Sequence, residues 1–142
     1  MANEMPDPET YSGLSRAVLR YSAAFAAIMT KAKSGALSDA DWAAIEDVVD
    51  TGAYERIGVF MGPKAEVIDW PTYKRYVTQY AGAAAWEGTL RHITEVPGRV
   101  VLELEERNTI GGVLDVSNTV TIYEFTEGGK LRHLDVYVMP LR

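Results

Sequence analysis

Four runs of alternating apolar and polar residues fill the chain from Ala84 to Met139, and a tight-turn signal separates each from the next. Ala84 to Val96 ends at Pro97-Gly98. Arg99 to Ile110 ends at Gly111-Gly112. Val113 to Phe125 ends at Glu127-Gly128-Gly129, and Leu131 to Met139 closes the series. Long strands joined by short turns predict an antiparallel meander. A sheet of that length twists strongly and coils on itself. Its concave side must then be covered by something else in the chain.

The cover is legible upstream. Leu14, Val18, Tyr21, Phe25 and Ile28 recur at three- and four-residue steps and draw one apolar stripe along a helix that ends at Ser34-Gly35. Ser38 starts a second helix with Asp39 and Asp41 in its first turn. Trp42, Ile45, Val48 and Val49 form its buried face, and Gly52 closes it. Residues 55 to 61 are expected to be a short strand stopped by Gly62-Pro63. Asp69 caps a third helix that carries Tyr73, Tyr76, Val77 and Tyr80. Helices first and a long antiparallel sheet after is an α+β order. The expected fold is a strongly curved antiparallel sheet with N-terminal helices packed in its concave side. The helices fill one end of that hollow and leave a pocket at the other.

Residues 1–142 are expected to form one domain. Residues 1–10, polar and with Pro6 and Pro8, are expected to be a flexible N-terminal segment. They lack the basic and apolar regions of a signal peptide. No apolar run reaches the length of a membrane span. A net charge of -6 argues against nucleic acid as a partner. With no cysteine, there is no thiolate nucleophile and no thiolate metal ligand, which fits a cytoplasmic protein. The two histidines lie on separate strands without close carboxylate spacing, so neither a metal nor another cofactor is expected.

A few polar residues fall at inward positions of the sheet. Strict alternation puts His92 on the face of Trp86 and Leu90. It also puts Glu106 and Asn108 on the face of Leu102 and Leu104. A core has no use for such groups, whereas a small-molecule cavity does. An imidazole titrates near ~6.5 and can take or give a proton at neutral pH. His92 is therefore a candidate base, and the alternative is a core histidine bonded to a neighbour. Glu106 is either a partner for His92 or part of a solvated run with Glu105 and Arg107. Asp135 shares its face with His133, Tyr137 and Met139.

The element order, together with Ile122-Tyr123-Glu124-Phe125, the turn through Gly128-Gly129-Lys130 and the strand from Leu131, resembles the nuclear transport factor 2-like superfamily. That group includes SnoaL-type cyclases, ketosteroid isomerases, scytalone dehydratase and limonene epoxide hydrolase. Leu90-Arg91-His92-Ile93-Thr94 is similar to the pocket-histidine strand of the SnoaL and dehydratase types. The resemblance implies an α+β cone. It also implies that Tyr21 stands where the isomerases carry an oxyanion-hole tyrosine, and that Thr121 lies in the cavity where they carry an acid. Their base aspartate falls in Val59-Phe60-Met61, which has no carboxylate. The resemblance turns Leu134, Val136 and Val138 inward and places Asp135 on a convex face used for homodimers. A strand bulge would reverse this and make Asp135 the missing acid.

These expectations combine into a cofactor-independent lyase, isomerase or cyclase. Its catalytic residues would be His92, Tyr21, Glu106 and Asp135. A hydrophobic cyclic substrate bearing a hydroxyl or carbonyl would lie among Trp86, Tyr73, Leu102, Leu104, Asn108 and Thr121. The alternative is a non-catalytic ligand-binding or dimerising module of the same fold.

Overall fold

The computed structural model describes residues 4–60 and 62–141. Helix α1 spans Gly13–Lys33. A 3-10 turn, Asp39–Trp42, runs into the single turn of α2, Ala43–Glu46. Strands β1 (Glu55–Gly58) and β2 (Glu66–Ile68) precede helix α3 (Trp70–Ala83). Strands β3 (Ala84–Val96), β4 (Arg99–Ile110), β5 (Val113–Phe125) and β6 (Leu131–Pro140) follow. The sheet order is β2-β1-β6-β5-β4-β3.

The meander from β3 to β6 is antiparallel throughout. Gly111 and Gly112 both have positive φ, 58° and 80°, as a two-residue hairpin turn with the sheet's own twist requires. The sheet is mixed, however, and not wholly antiparallel. Strand β1 arrives after helical segments, not by a hairpin, and lies parallel to β6 with Arg56 beside Leu134. Strand β2, absent from the sequence expectation, turns back along the outer edge of β1.

The second helix is much shorter than its apolar spacing suggests. Residues 48 to 50 leave it to bond the start of β6: the Leu131 N–H donates to the Val48 carbonyl, and the Asp50 N–H to that of Leu131. Two successive β-branched valines favour this extended pairing over another helical turn. Of residues 1–10, expected to be a flexible segment, 1–3 lie outside the described residues and 4–10 are hydrogen-bonded into the fold. The Glu4 N–H donates to the Gly88 carbonyl, and Asp7 caps the 3-10 turn Pro8–Thr10.

Val18, Leu19 and Ile28 of α1 and Val77 of α3 are buried with Val100, Leu102, Tyr123 and Leu134 of the sheet. One end of the hollow is closed by aromatic rings. Trp70 stacks on Tyr73 with centroids 5.3 Å apart, and Tyr54 and Trp42 meet its edges at 4.9 and 5.9 Å. The Asp69 side chain accepts from the Thr72 N–H at 3.0 Å and starts α3 there.

The first turn of α1 is capped from a distance. Ser12 makes no side-chain cap; Glu95 of β3 accepts from the N–H and hydroxyl of Ser15, at 2.8 and 2.7 Å, and from the Leu14 N–H. A Cβ at Gly13 would lie 2.9 Å from this carboxylate, so the glycine makes room for it. The Ser15 bonds, with those from the backbone, hold the Glu95 carboxyl below its ordinary range. A depressed pKa stabilises the fold above the unfolded-state value and loses that effect as pH falls through the folded-state value. Glu95→Ala is expected to lower stability by about 0.5–1 kcal/mol at pH 7, at the low end for a cap because the side chain is exposed. The difference should shrink as pH falls below about 4, as read from urea midpoints across pH.

Candidate functional site

A cavity of about 280 Å³ lies between α1, α3 and the concave face of the sheet. Its chemistry comes from alternation along four strands. Inward positions on β4 hold Leu104, Glu106 and Asn108. Those on β5 hold Ser117, Thr119 and Thr121. Strand β6 supplies Leu134 and Val136, and β3 supplies Trp86. Away from the closed end β4 and β5 turn from apolar to polar, while β6 stays apolar, which sets a polar band against the aromatic wall of Phe25, Phe60 and Tyr73.

Glu106 is the best-held group in that band. One oxygen accepts from the Trp86 indole N–H at 2.6 Å, and the other from the Thr119 hydroxyl at 2.5 Å. The local reason is Gly88, which pairs directly across from Glu106. A Cβ there would sit 2.9 Å from the Trp86 ring, so glycine leaves the lane through which the indole reaches the carboxylate. Tyr80 donates to the Asn108 side-chain oxygen beside it. Burial, with the charges of Glu106 and Asp115, pushes the Tyr80 phenol well above its ordinary pKa and holds it as a donor.

Tyr21 lies on the cavity wall and shares a hydrogen bond with Tyr54 at 2.8 Å. Burial, reinforced by neighbouring phenols, raises the pKa of both. Tyr73 and Tyr123 complete the cluster, their phenols also raised first by burial. Proton donors, not phenolate bases, therefore line this side.

Tyr21, Tyr73, Trp86, Leu104, Glu106, Asn108 and Thr121 all border the cavity. Leu102 points inward too, but it is 1% exposed within the core and belongs to the packing. Glu106 separates from its sequence neighbours: Arg107 bonds Glu105 at 2.9 Å and Thr89 at 2.9 Å on the opposite face.

His92 is corrected. The β3–β4 register shifts between Leu90 and His92, so that Leu90 pairs with Leu104 and His92 with Glu103. Arg91 is the extra residue of a bulge, and one extra residue exchanges the faces of everything beyond it. Ile93 takes the inward position and His92 is exposed on the outer face. His92→Ala should leave both the urea midpoint and ligand binding within about 0.5 kcal/mol of the parent, as expected for a surface site.

Asp135 is corrected as well. The register with β5 skips Arg132, a bulge at the start of β6 that lets Leu131 and Leu134 both face inward. Beyond it the alternation is regular, so Leu134 and Val136 line the cavity and Asp135 lies behind them. It bonds the Nε2 of His133 at 2.9 Å, while Glu55 bonds Nδ1 at 2.9 Å. Potential ligand atoms of Glu124, His133 and Asp135 lie within 4.8 Å of one another. A close His/carboxylate grouping, of which linear spacing shows only His133 and Asp135, thus forms across β5 and β6, on the outer face and away from the cavity.

Arg56 and Asp115 on the cavity wall were missed by the sequence reading. Arg56 carried a usable signal: a lone basic residue within Tyr54-Glu55-Arg56-Ile57-Gly58, where alternation with Tyr54 and Gly58 faces it inward.

No family model matches the chain, and no curated protein does. Solved structures do. An NTF2-like protein of unknown function from Exiguobacterium sp. 255-15 superposes with a TM-score of 0.63 at 12% identity, over 87% of this chain and 97% of that one. An NTF2-like protein from Anabaena variabilis gives 0.56 at 14% identity, over 84% and 90%. An LEH-like epoxide hydrolase from M. tuberculosis gives 0.54 at 14% identity, over 80% and 82%. Among the described residues, no helix is long and apolar enough to cross a membrane. A helix-covered curved sheet, matched by these structures over 80–87% of the chain, gives it the nuclear transport factor 2-like fold.

Proposed function

We propose that the cavity binds a small cyclic molecule bearing a hydroxyl or carbonyl and catalyses a proton transfer on it, as an isomerase, lyase or cyclase of this fold would. The observation that carries this reading is Glu106, a carboxylate inside the cavity oriented by Trp86 and Thr119. A positioned carboxylate within reach of a substrate proton is a general base, and its geometry matters before its strength. Donors stand ready for the opposite charge. When Tyr54 donates to Tyr21, the Tyr21 proton is left for a substrate oxygen and can polarise it as negative charge develops. Glu106 replaces His92 as the centre of the chemistry.

A second reading keeps the pocket and drops the turnover. Both Glu106 oxygens already carry a protein donor, an arrangement equally suited to gripping a ligand hydroxyl. One experiment separates the two. Cyclic ketones and hydroxy compounds that raise the melting temperature are incubated with the protein in D2O and followed by proton NMR. Deuterium entering the carbon α to the ligand's carbonyl group supports the enzyme. Binding without exchange, and without any product, sinks the enzyme and leaves the binding module.

A further inference from the structure

Among the described residues, the cavity wall holds one cation, Arg56, that the proton transfer does not use. Arg56 sits on β1 directly beside Leu134 of β6 and Ile68 of β2, at an inward position of the sheet. It is 9% exposed. Its Nη1 donates to the Val59 carbonyl at 3.2 Å, and the guanidinium lies 4.8 Å from the centre of the Phe60 ring. Those two contacts fix its orientation. Among the described residues, no carboxylate pairs with it. A guanidinium buried this deeply without an anion is unfavourable, and an anion delivered by a ligand would relieve it.

The charge acts on the tyrosine side of the cavity. Arg56 opposes the burial-driven rise in the phenol pKa of Tyr54, Tyr73 and Tyr123. Asp115 acts on Tyr80, and Glu106 acts on Tyr80 and also on Tyr73 and Tyr123 from the opposite side. The cavity is therefore polarised, positive near β1 and negative near β4 and β5. We infer that Arg56 is a carboxylate subsite and that the ligand is a small ring-containing monocarboxylic acid whose hydroxyl or carbonyl faces Glu106.

Three features select this class. A planar guanidinium fork matches a planar carboxylate with two parallel hydrogen bonds. A monoanion matches the single positive charge of Arg56, whereas a phosphate dianion would add a further charge to the negative excess that Glu106 and Asp115 already give the cavity. Walls of Phe60, Tyr73 and Trp86 in a space of about 280 Å³ suit a single ring. The inference rests on the cavity reading above and adds the ligand's charge and its direction in the site.

The test compares matched pairs on the full chain. Cyclohexanecarboxylate, benzoate, 4-hydroxybenzoate and 4-oxocyclohexanecarboxylate, the last with exchangeable protons beside its ring ketone for the exchange readout, are titrated at pH 7 against their uncharged primary amides by calorimetry. The acids are expected to bind at least roughly tenfold more tightly, as a charge-assisted pair provides. Arg56→Met should abolish that preference and Arg56→Lys should retain part of it. Equal binding of acids and amides, binding of neither, or a preference that survives Arg56→Met would overturn the subsite. The comparison within the unmodified protein stands even where Arg56→Met fails to fold. Amides that bind as well as acids and undergo Glu106-dependent exchange would reject the subsite while leaving the proton-transfer reading intact. Acids preferred through Arg56 but never exchanged would do the reverse.

Discussion

Glu106→Gln is expected to reduce deuterium exchange of a bound cyclic ketone by about 10²–10⁴-fold, the usual contribution of a positioned general base. The substitution keeps the shape and one acceptor oxygen, so the Trp86 indole or the Thr119 hydroxyl retains its partner. The other must turn: Thr119 can rotate to accept from the new amide, but the indole N–H cannot. Stability should therefore fall by only about 1 kcal/mol. Affinity should change far less than exchange, because the aromatic walls that hold a ring are untouched. Exchange rates by NMR, calorimetric affinity and a urea midpoint on the same sample separate the three effects. Exchange that persists at the parent rate would remove Glu106 from the chemistry. Thr119→Val supplies a graded companion, since it deletes one of the two donors that orient the carboxylate.

How much of this site was legible in the sequence depends on where the strict period of two survives. Along β4 it survives intact, and Leu102, Leu104, Glu106 and Asn108 all face inward as the pattern requires. Along β3 it fails by one residue at Arg91. Nothing in Leu90-Arg91-His92 marks a bulge, because no glycine or proline stands there and either strand face could accept the histidine. The most conspicuous titratable residue was thereby placed on the wrong side. Asp135 stands two residues from His133, but linear spacing could not show that Glu124 and Glu55 join them, since the first depends on the pairing of β5 with β6 and the second on parallel pairing between β1 and β6. Alternation with Tyr54 and Gly58 already turned Arg56 inward, but that it reaches the cavity beside Leu134 shows only once the distant partner strand is known. Gly88 reads as an ordinary strand glycine until the indole passing over it is seen.

Trp70→Ala is expected to have the largest effect on stability. The side chain is 3% exposed and touches three other aromatic rings, those of Trp42, Tyr54 and Tyr73. Truncating a buried tryptophan in such a setting costs about 3–5 kcal/mol, because the transfer free energy is lost and the cavity left behind cannot collapse around rigid rings. Against a typical total of about 5–15 kcal/mol, that brings the protein close to unfolding. A melting temperature lower by roughly 10 °C is expected for a domain of this size. Part of the loss is electrostatic and identifies itself by pH. The indole N–H donates to Glu46 at 2.7 Å and, as the strongest of its partners, holds that carboxyl below its ordinary range. A depressed carboxyl pKa stabilises at neutral pH and ceases to do so as pH falls through the folded-state value. The gap between Trp70→Ala and the parent should therefore be widest near pH 7 and narrow on acidification, leaving the packing loss alone. A gap independent of pH would assign the whole penalty to packing. Tyr73 lies between this cluster and the cavity, so the same substitution should also weaken ligand binding without touching a residue that the ligand contacts. Unchanged affinity in a destabilised Trp70→Ala would show that the tyrosine wall holds its place without the ring stacked behind it.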